Sequence, residues 1–375
     1  MKVLVVSGIW PPDVGGPASH APEVVEFLRG RGHEVEVVTT APAAPAPQAY
    51  PVRWISRAQP VFLRYLRGAL LVRRSARGKD VVYSTGMYGR TRVGSLLART
   101  PSVVKLTGDP AYERAFRYGL TRLPIEDFQR SRDPRLAWLK AMRDLTLWGP
   151  CRYVIPSASL GRIAGGWRLV RGDRIVVLPN PIAVPEVGER DELRRRHGFE
   201  GPTLVFAGRL SVQKSLDVLL RAVGACEGVA LVVAGDGPDR ARLDALVAEL
   251  GLGDRVRFLG AQPRETVLEL LAAADAGVLS SGWENFPHSV IEGLAVGTPV
   301  IATGAGGVAE IVTDGANGLL VAPGDPEAFA AAIRRFFADQ ALRERLRAAA
   351  PGSVARFAPE PVYARLETLL EEAAG

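Results

Sequence analysis

The chain has 375 residues, more than one typical domain holds, so two domains are expected. Hydrophobic residues make up 47% and charged residues 23%, a globular balance that excludes disorder for most of the length. Lys+Arg number 47 against 40 Asp+Glu, and only five of the 47 are Lys, so the positive charge is almost all Arg. Cys151 and Cys226 stand far apart with no CxxC partner, which excludes a Cys-based zinc site, argues against a disulfide framework and suggests a reducing cytoplasm. The opening VLVVSG is too short for a signal peptide, and no apolar run reaches the roughly 18 residues of a spanning helix.

Short β-branched runs alternate with helical stretches along the chain. The first half predicts strands at Lys2–Ser7, Glu34–Thr39, Val52–Ile55, Val81–Ser84, Ser102–Leu106, Tyr153–Pro156 and Arg174–Leu178. The second half predicts them at Thr203–Ala207, Ala230–Ala234, Val256–Leu259, Ala276–Leu279, Pro299–Ala302 and Gly318–Val321. Most are continuous apolar runs, as in parallel strands buried on both faces. Helices are predicted at Pro22–Arg31, Leu216–Val223, Asp239–Leu250, Arg264–Ala273, Pro326–Ala338 and Pro359–Ala374. The pattern is α/β: two doubly wound Rossmann-like domains facing across a cleft. Domain limits are placed at 1–183 and 184–358, with a seam in the Pro- and charge-rich stretch near Asn180–Gly201. Residues 359–375 form a last helix that is a candidate to pack back on the first domain.

Ligands of doubly wound sheets bind beyond the carboxyl ends of the strands, and the polar motifs fall there. After the first strand, WPPDVGGPASH contains Gly15 and Gly16, which permit close backbone approach, and His20. It is not the GxGxxG fingerprint, which weakens a dinucleotide-dependent enzyme. FAGRLSVQK turns at Gly208 and supplies Arg209 and Lys214, two cations suited to a diphosphate whose charge grows as it leaves. A solvated Arg and Lys after a strand would read the same. GDGP carries Gly235, again without a third glycine. GWENFPHSVIEGLAVGTP places Glu284 before a helix start, where Asn285 can cap and Pro287 suits the first turn, with Glu292 further in and Gly297 as the stop. Two carboxylates bracketing a helix start can hold a hydroxyl-rich ligand; a first-turn Glu and a surface Glu are the plain alternatives.

These second-half motifs, with VRFLGA and GGVAEIVTDGANGLLVAPGD, stand in the order of the retaining GT-B glycosyltransferases of family 4, the glycosyltransferase group 1 family. The chain resembles that family over about 120 residues, with Glu284 and Glu292 in its E-x7-E spacing. The first half is similar through its opening strand, Gly15-Gly16, His20 and GHEVEVVT. The resemblance implies transfer of a sugar from a nucleotide-diphosphate donor to an acceptor hydroxyl with retention of configuration. It implies that Glu292 binds the ribose and that Glu284, with Asn285, Phe286 and Pro287, holds the sugar. Arg209 and Lys214 would clamp the diphosphate near Gly16, and Gly260, Ala261 and Gln262 would border the base. No metal or other cofactor is expected, since no D-x-D triplet occurs. Many relatives carry a His where the strand Ser102–Leu106 ends; here Thr107 stands there. Asp109 is the candidate acceptor-side group, against a helix-capping alternative.

Between Glu36 and Asp80 no acidic residue occurs, while Arg53, Arg57, Arg64, Arg67, Arg73, Arg74, Arg77 and Lys79 do. PVFLRYLRGALLVRRSAR reads as an ordinary helix with a solvated basic face or as a basic amphipathic helix on an anionic membrane. A lipid-linked acceptor in envelope polysaccharide or glycolipid synthesis fits the second, with the protein on the inner membrane face. No nucleic acid is expected. The rival readings are a sugar-nucleotide epimerase of similar fold and a non-catalytic sugar-nucleotide binder. A phosphorylase would need a pyridoxal lysine context that the five Lys do not offer.

Overall fold

The computed structural model describes residues 1–13, 16–183 and 185–375. Gly15, a predicted site residue, lies outside the described residues. The chain divides into two compact units, Met1–Pro179 with Glu360–Gly375, and Asn180–Pro359.

The first unit contains β1 (Lys2–Val6), α1 (Gly16–Gly30), β2 (Glu34–Ala41), β3 (Val52–Ser56), α2 (Val61–Ala76), β4 (Val81–Ser84), α3 (Tyr88–Ala98) and β5 (Ser102–Lys105). It continues with α4 (Pro110–Arg117), α5 (Ile125–Arg130), α6 (Pro134–Leu147), β6 (Arg152–Ile155), α7 (Ala158–Gly165) and β7 (Ile175–Val177). The seven strands are parallel in the order β3-β2-β1-β4-β5-β6-β7. Alternate residues point to opposite faces. Val3, Val5, Val37, Tyr83, Val103 and Val154 pack under Ala21, Val24, Val25 and Leu28 of α1, with Val362, Tyr363, Leu366, Leu369 and Leu370 from the chain's last helix. On the other face Leu4, Val6, Val38 and Val82 meet Val72 and Ala76 of α2.

The second unit contains α8 (Arg190–His197), β8 (Thr203–Ala207), α9 (Leu216–Gly224), β9 (Ala230–Ala234), α10 (Arg240–Glu249), β10 (Val256–Gly260), α11 (Arg264–Ala273) and β11 (Ala276–Leu279). Then follow α12 (His288–Ala295), β12 (Val300–Thr303), β13 (Gly318–Val321), α13 (Pro326–Ala338), α14 (Gln340–Val354) and α15 (Pro359–Ala374), the helix that enters the first unit's core. The strand order is β10-β9-β8-β11-β12-β13, all parallel. The order reverses between β1 and β4 in one sheet and between β8 and β11 in the other, and such reversals open a crevice for ligands.

Three local readings are corrected. The charged stretch near 190–201 is no simple linker: it holds α8, whose Leu193 packs with Leu270 and Leu271 of α11. The first helix begins at Gly16 and carries Pro22 inside it. Helix α12 begins at His288, so Pro287, and not Asn285, stands at the N-cap position.

Candidate active site

At the carboxyl edge of the second sheet three turns lie backbone against backbone. The Gly208 amide donates to Ala234 O at 3.0 Å, the Leu210 amide to Asp236 O at 2.9 Å, and the Gly235 amide to Gly260 O at 2.8 Å. A Cβ on Gly235 would stand 1.8 Å from Gly208 O, so only glycine allows this approach. These bonds bring Gly208, Arg209, Gly235, Gly260, Ala261 and Gln262 to one edge. Gln262 Nε2 donates to Leu259 O at 2.7 Å, which ties down its own turn. Arg209 is exposed, and among the described residues its guanidinium has no hydrogen-bond or ion-pair partner.

Across the strand reversal the turn after β8 meets the turn after β11. The Gly282 amide donates to Gln213 O at 2.9 Å, Gln213 Nε2 to Trp283 O at 2.8 Å, and Ser280 Oγ to Lys214 O at 2.9 Å. Lys214 Nζ lies 2.5 Å from Glu284 Oε1, which also accepts from Ser281 Oγ at 2.6 Å. Glu284 is buried, so its charge is stabilised by the ammonium and the hydroxyl together. The turn after β12 closes over it: the Gly307 amide donates to Glu284 O at 2.9 Å, and Gly306, at φ 59°, would put a Cβ 2.0 Å from that oxygen. Ser215 beside Lys214 holds φ 46°, a left-handed conformation that costs a non-glycine residue about 1 kcal/mol.

Helix α12 continues from this turn. Phe286 is buried, its ring edge-on to Phe357 with centroids 5.3 Å apart, and Pro287 is buried beside it. Pro287 at the N-cap has no side chain that can accept from the first amides of α12, and the amides of a helix start are directed past its end. Glu292, buried on α12, accepts from Arg264 Nε at 2.8 Å. Arg264 Nη2 also donates to Ala183 O at 2.5 Å. The sequence shows Arg264 only as the start of α11; nothing in it signals a reach to Glu292, 28 residues on.

The first unit treats its predicted residues differently. His20 on α1 meets Tyr83 OH through Nε2 at 2.9 Å. Burial pushes the Tyr83 phenol well up. Gly16 begins α1, and Thr107 is exposed. Asp109 is 0% exposed. Its Oδ1 accepts from the Ala111 and Tyr112 amides at 2.8 and 3.3 Å, capping α4. Its Oδ2 accepts from Gln129 Nε2 at 2.7 Å and Arg143 Nη1 at 2.8 Å. Arg143 also binds Asp144 and stacks 4.1 Å over the Trp167 ring. Both oxygens are thus held inside a buried network, the arrangement of a capping residue.

Of the basic run, Arg53 and Lys79 pair with Glu36 at 2.7 and 3.2 Å, and Arg57 with Asp13 at 2.5 Å. Arg67, Arg74 and Arg77 are exposed with no partner among the described residues. Helix α2 buries Gly68, Ala69, Val72, Ser75 and Ala76, while Phe62 is 81% exposed and Leu66 and Leu70, on the same stripe, face solvent. The sequence reading missed a second exposed apolar stripe on α6, where Trp138 (61% exposed), Met142 and Leu145 recur at helical spacing, followed by Trp148. No helix among the described residues is long and apolar enough to cross a membrane.

Residues 189–352 match the protein-family profile described as "Glycosyl transferases group 1". A lipopolysaccharide core biosynthesis glycosyltransferase of Rhizobium meliloti is 36% identical over 181 residues, 48% of this chain and 52% of that protein. The chain thus spans about half the length of that curated relative. An uncharacterized glycosyltransferase of Methanocaldococcus jannaschii is 28% identical over 371 residues, covering 92% of this chain and 91% of that protein. Anabaena HepE, solved in complex with UDP-glucose, has the same fold, with TM-score 0.78 at 21% identity over 99% of this chain and 100% of that one. The fold is of the GT-B type. Residues 189–352 of that fold carry the match to the group 1 glycosyltransferase family, over the stretch that holds the site motifs.

Proposed function

We propose that the protein transfers a sugar from a nucleoside-diphosphate donor to an acceptor hydroxyl with retention of configuration and without a metal ion. The observation that carries this is the edge of the second sheet, where the unpartnered Arg209 stands in the turn that also brings Lys214 to Glu284, at 2.5 Å. Two fixed cations stabilise a departing diphosphate without solvent reorganisation. Glu292 accepts hydrogen bonds from ribose hydroxyls once Arg264 yields part of its hold. Glu284, the amides opening α12 and the Asn285–Pro287 turn orient the sugar. Gly260, Ala261 and Gln262 border the base. The departing phosphate takes the acceptor proton on the face of attack. Asp109 is assigned to capping and folding, not to the acceptor.

The domain limits follow the two compact units: an acceptor-binding unit of residues 1–179 with the last helix, and a donor-binding unit of residues 180–359. The acceptor is lipid-linked, and the protein works on the cytoplasmic face of the membrane. The exposed stripe of Phe62, Leu66 and Leu70 beside Arg67, Arg74 and Arg77 supports this, because such a face gains from both acyl chains and anionic headgroups. The lipopolysaccharide core role in the name of the Rhizobium meliloti relative points the same way. The test is release of nucleotide from a panel of UDP-, GDP- and ADP-sugars in the presence of lipid extract and EDTA. Turnover that needs lipid and survives EDTA is expected. Turnover only after a divalent ion is restored contradicts the metal-free reading, and donor conversion without acceptor favours an epimerase.

A further inference from the structure

The first sheet ends in two polar groups that the donor reading leaves unused. Ser84 lies opposite Val104 in the β4–β5 ladder, and one residue further on stand Thr85, in the bend that ends β4, and Lys105, the last residue of β5. Tyr83 and Val103 belong to the core beneath α1 and α15, and alternation along β5 sets Lys105 on the same face as Val103. Thr85 follows β4, one of the two strands between which the order reverses, and ligands of doubly wound sheets bind there.

Lys105 is 3% exposed and Thr85 7%. Among the described residues Lys105 Nζ has no hydrogen-bond or ion-pair partner, and Thr85 Oγ1 has none either. The other interior lysines are satisfied. Lys140 Nζ donates to the carbonyls of Phe128, Gln129 and Ser131 at 3.2, 3.2 and 2.6 Å, and Lys79 and Lys214 pair with glutamates. A buried ammonium without a partner is among the costliest groups a fold can keep. We propose that Thr85 and Lys105 form an anion-binding position at the carboxyl edge of the first sheet, which takes a phosphate group of a substrate. The ammonium supplies the charge and the hydroxyl donates to a phosphate oxygen. Desolvation alone lowers the amine to about 7, so an arriving anion restores the proton that burial disfavours.

The position uses neither Lys214 nor Glu292, so it stands or falls separately from the donor site. With only five Lys in the chain, lysines labelled with carbon-13 at the ε position give signals that single variants assign. The full chain is titrated with inorganic phosphate, UDP, glucose 6-phosphate and, as a neutral control, glucose. Phosphate is expected to shift the Lys105 signal saturably and glucose to leave it unmoved. Lys105→Met should weaken phosphate binding about tenfold and Thr85→Val about threefold, the scale of a lost charged and a lost neutral hydrogen bond. Displacement of phosphate by UDP identifies the donor diphosphate as the source. Simultaneous binding of UDP and glucose 6-phosphate identifies a phosphomonoester of the acceptor. A Lys105 signal unmoved by every anion overturns the proposal, as does wild-type phosphate affinity in folded Lys105→Met. Should that variant not fold, the near-isosteric Thr85→Val decides: unchanged affinity there overturns it equally.

Discussion

The two sheets end in edges of the same topology with opposite electrostatic habits. In the second unit two buried carboxylates each meet a cation that is itself partly exposed: Glu284 with Lys214, and Glu292 with Arg264. Arg209 alone stands without a partner there among the described residues. The first pair sits on turns and the second joins the start of α11 to α12, where a ligand can exchange for one partner. In the first unit Asp109 is locked inside with Arg143, while Lys105 is buried with no opposite charge. Paired charges at an accessible edge suit exchange with a ligand; a fully enclosed pair suits stability; an enclosed single charge suits neither unless something binds it.

That contrast breaks most sharply at Asp109. Asp109→Ala should cost about 3–5 kcal/mol of folding stability by stranding Arg143, read as a lower denaturant midpoint. A stable variant that has lost only turnover would return Asp109 to the chemistry. Lys214→Ala should keep the fold and lower kcat/KM by about 2–4 kcal/mol, the scale of a transition-state electrostatic partner; an unchanged rate removes Lys214 from the site.

Further effects sharpen the same comparison. The Lys105 amine is held at about 7 against an ordinary 10.5, so the folded chain binds fewer protons than the unfolded one between those values. Stability therefore rises with pH across that window, and the cost of Lys105 is largest below pH 7. Lys105→Met should gain on the order of 5 kcal/mol at pH 6 and almost nothing above pH 10.5, by thermal unfolding at both. Equal gains at the two pH values would deny a buried, depressed amine. Replacing Phe62 or Leu66 by Ser should weaken binding to anionic vesicles by about 1–2 kcal/mol each in co-sedimentation. Binding that ignores both substitutions would leave the α2 stripe without a membrane role.

Much of the fold is legible in the sequence because it rests on local patterns. All thirteen strands of the two sheets fall on the apolar runs that predict them, since parallel strands covered on both faces tolerate few polar residues. Helices α11, α13 and α15 begin and end where their periodicity does. What escaped is long-range. Nothing near Asp109 announces Arg143, 34 residues on, and nothing near Glu292 announces Arg264. Helix α6, unread in the sequence, has apolar residues on both its buried and exposed faces, which blurs the one-sided pattern that marks a surface helix. Asn285 and Pro287 both satisfy local rules for a helix start, yet α12 begins only at His288, after the turn in which the Gly307 amide donates to Glu284 O.

The most direct test of the central claim is calorimetric titration with UDP, GDP and ADP in EDTA, for the wild type and for Glu292→Ala. One nucleotide should bind the wild type, and Glu292→Ala should weaken it by about tenfold or more, as expected for a lost carboxylate–hydroxyl contact. Absence of binding by all three nucleotides, or equal binding by the variant, would contradict a nucleotide-donor site at the edge of the second sheet.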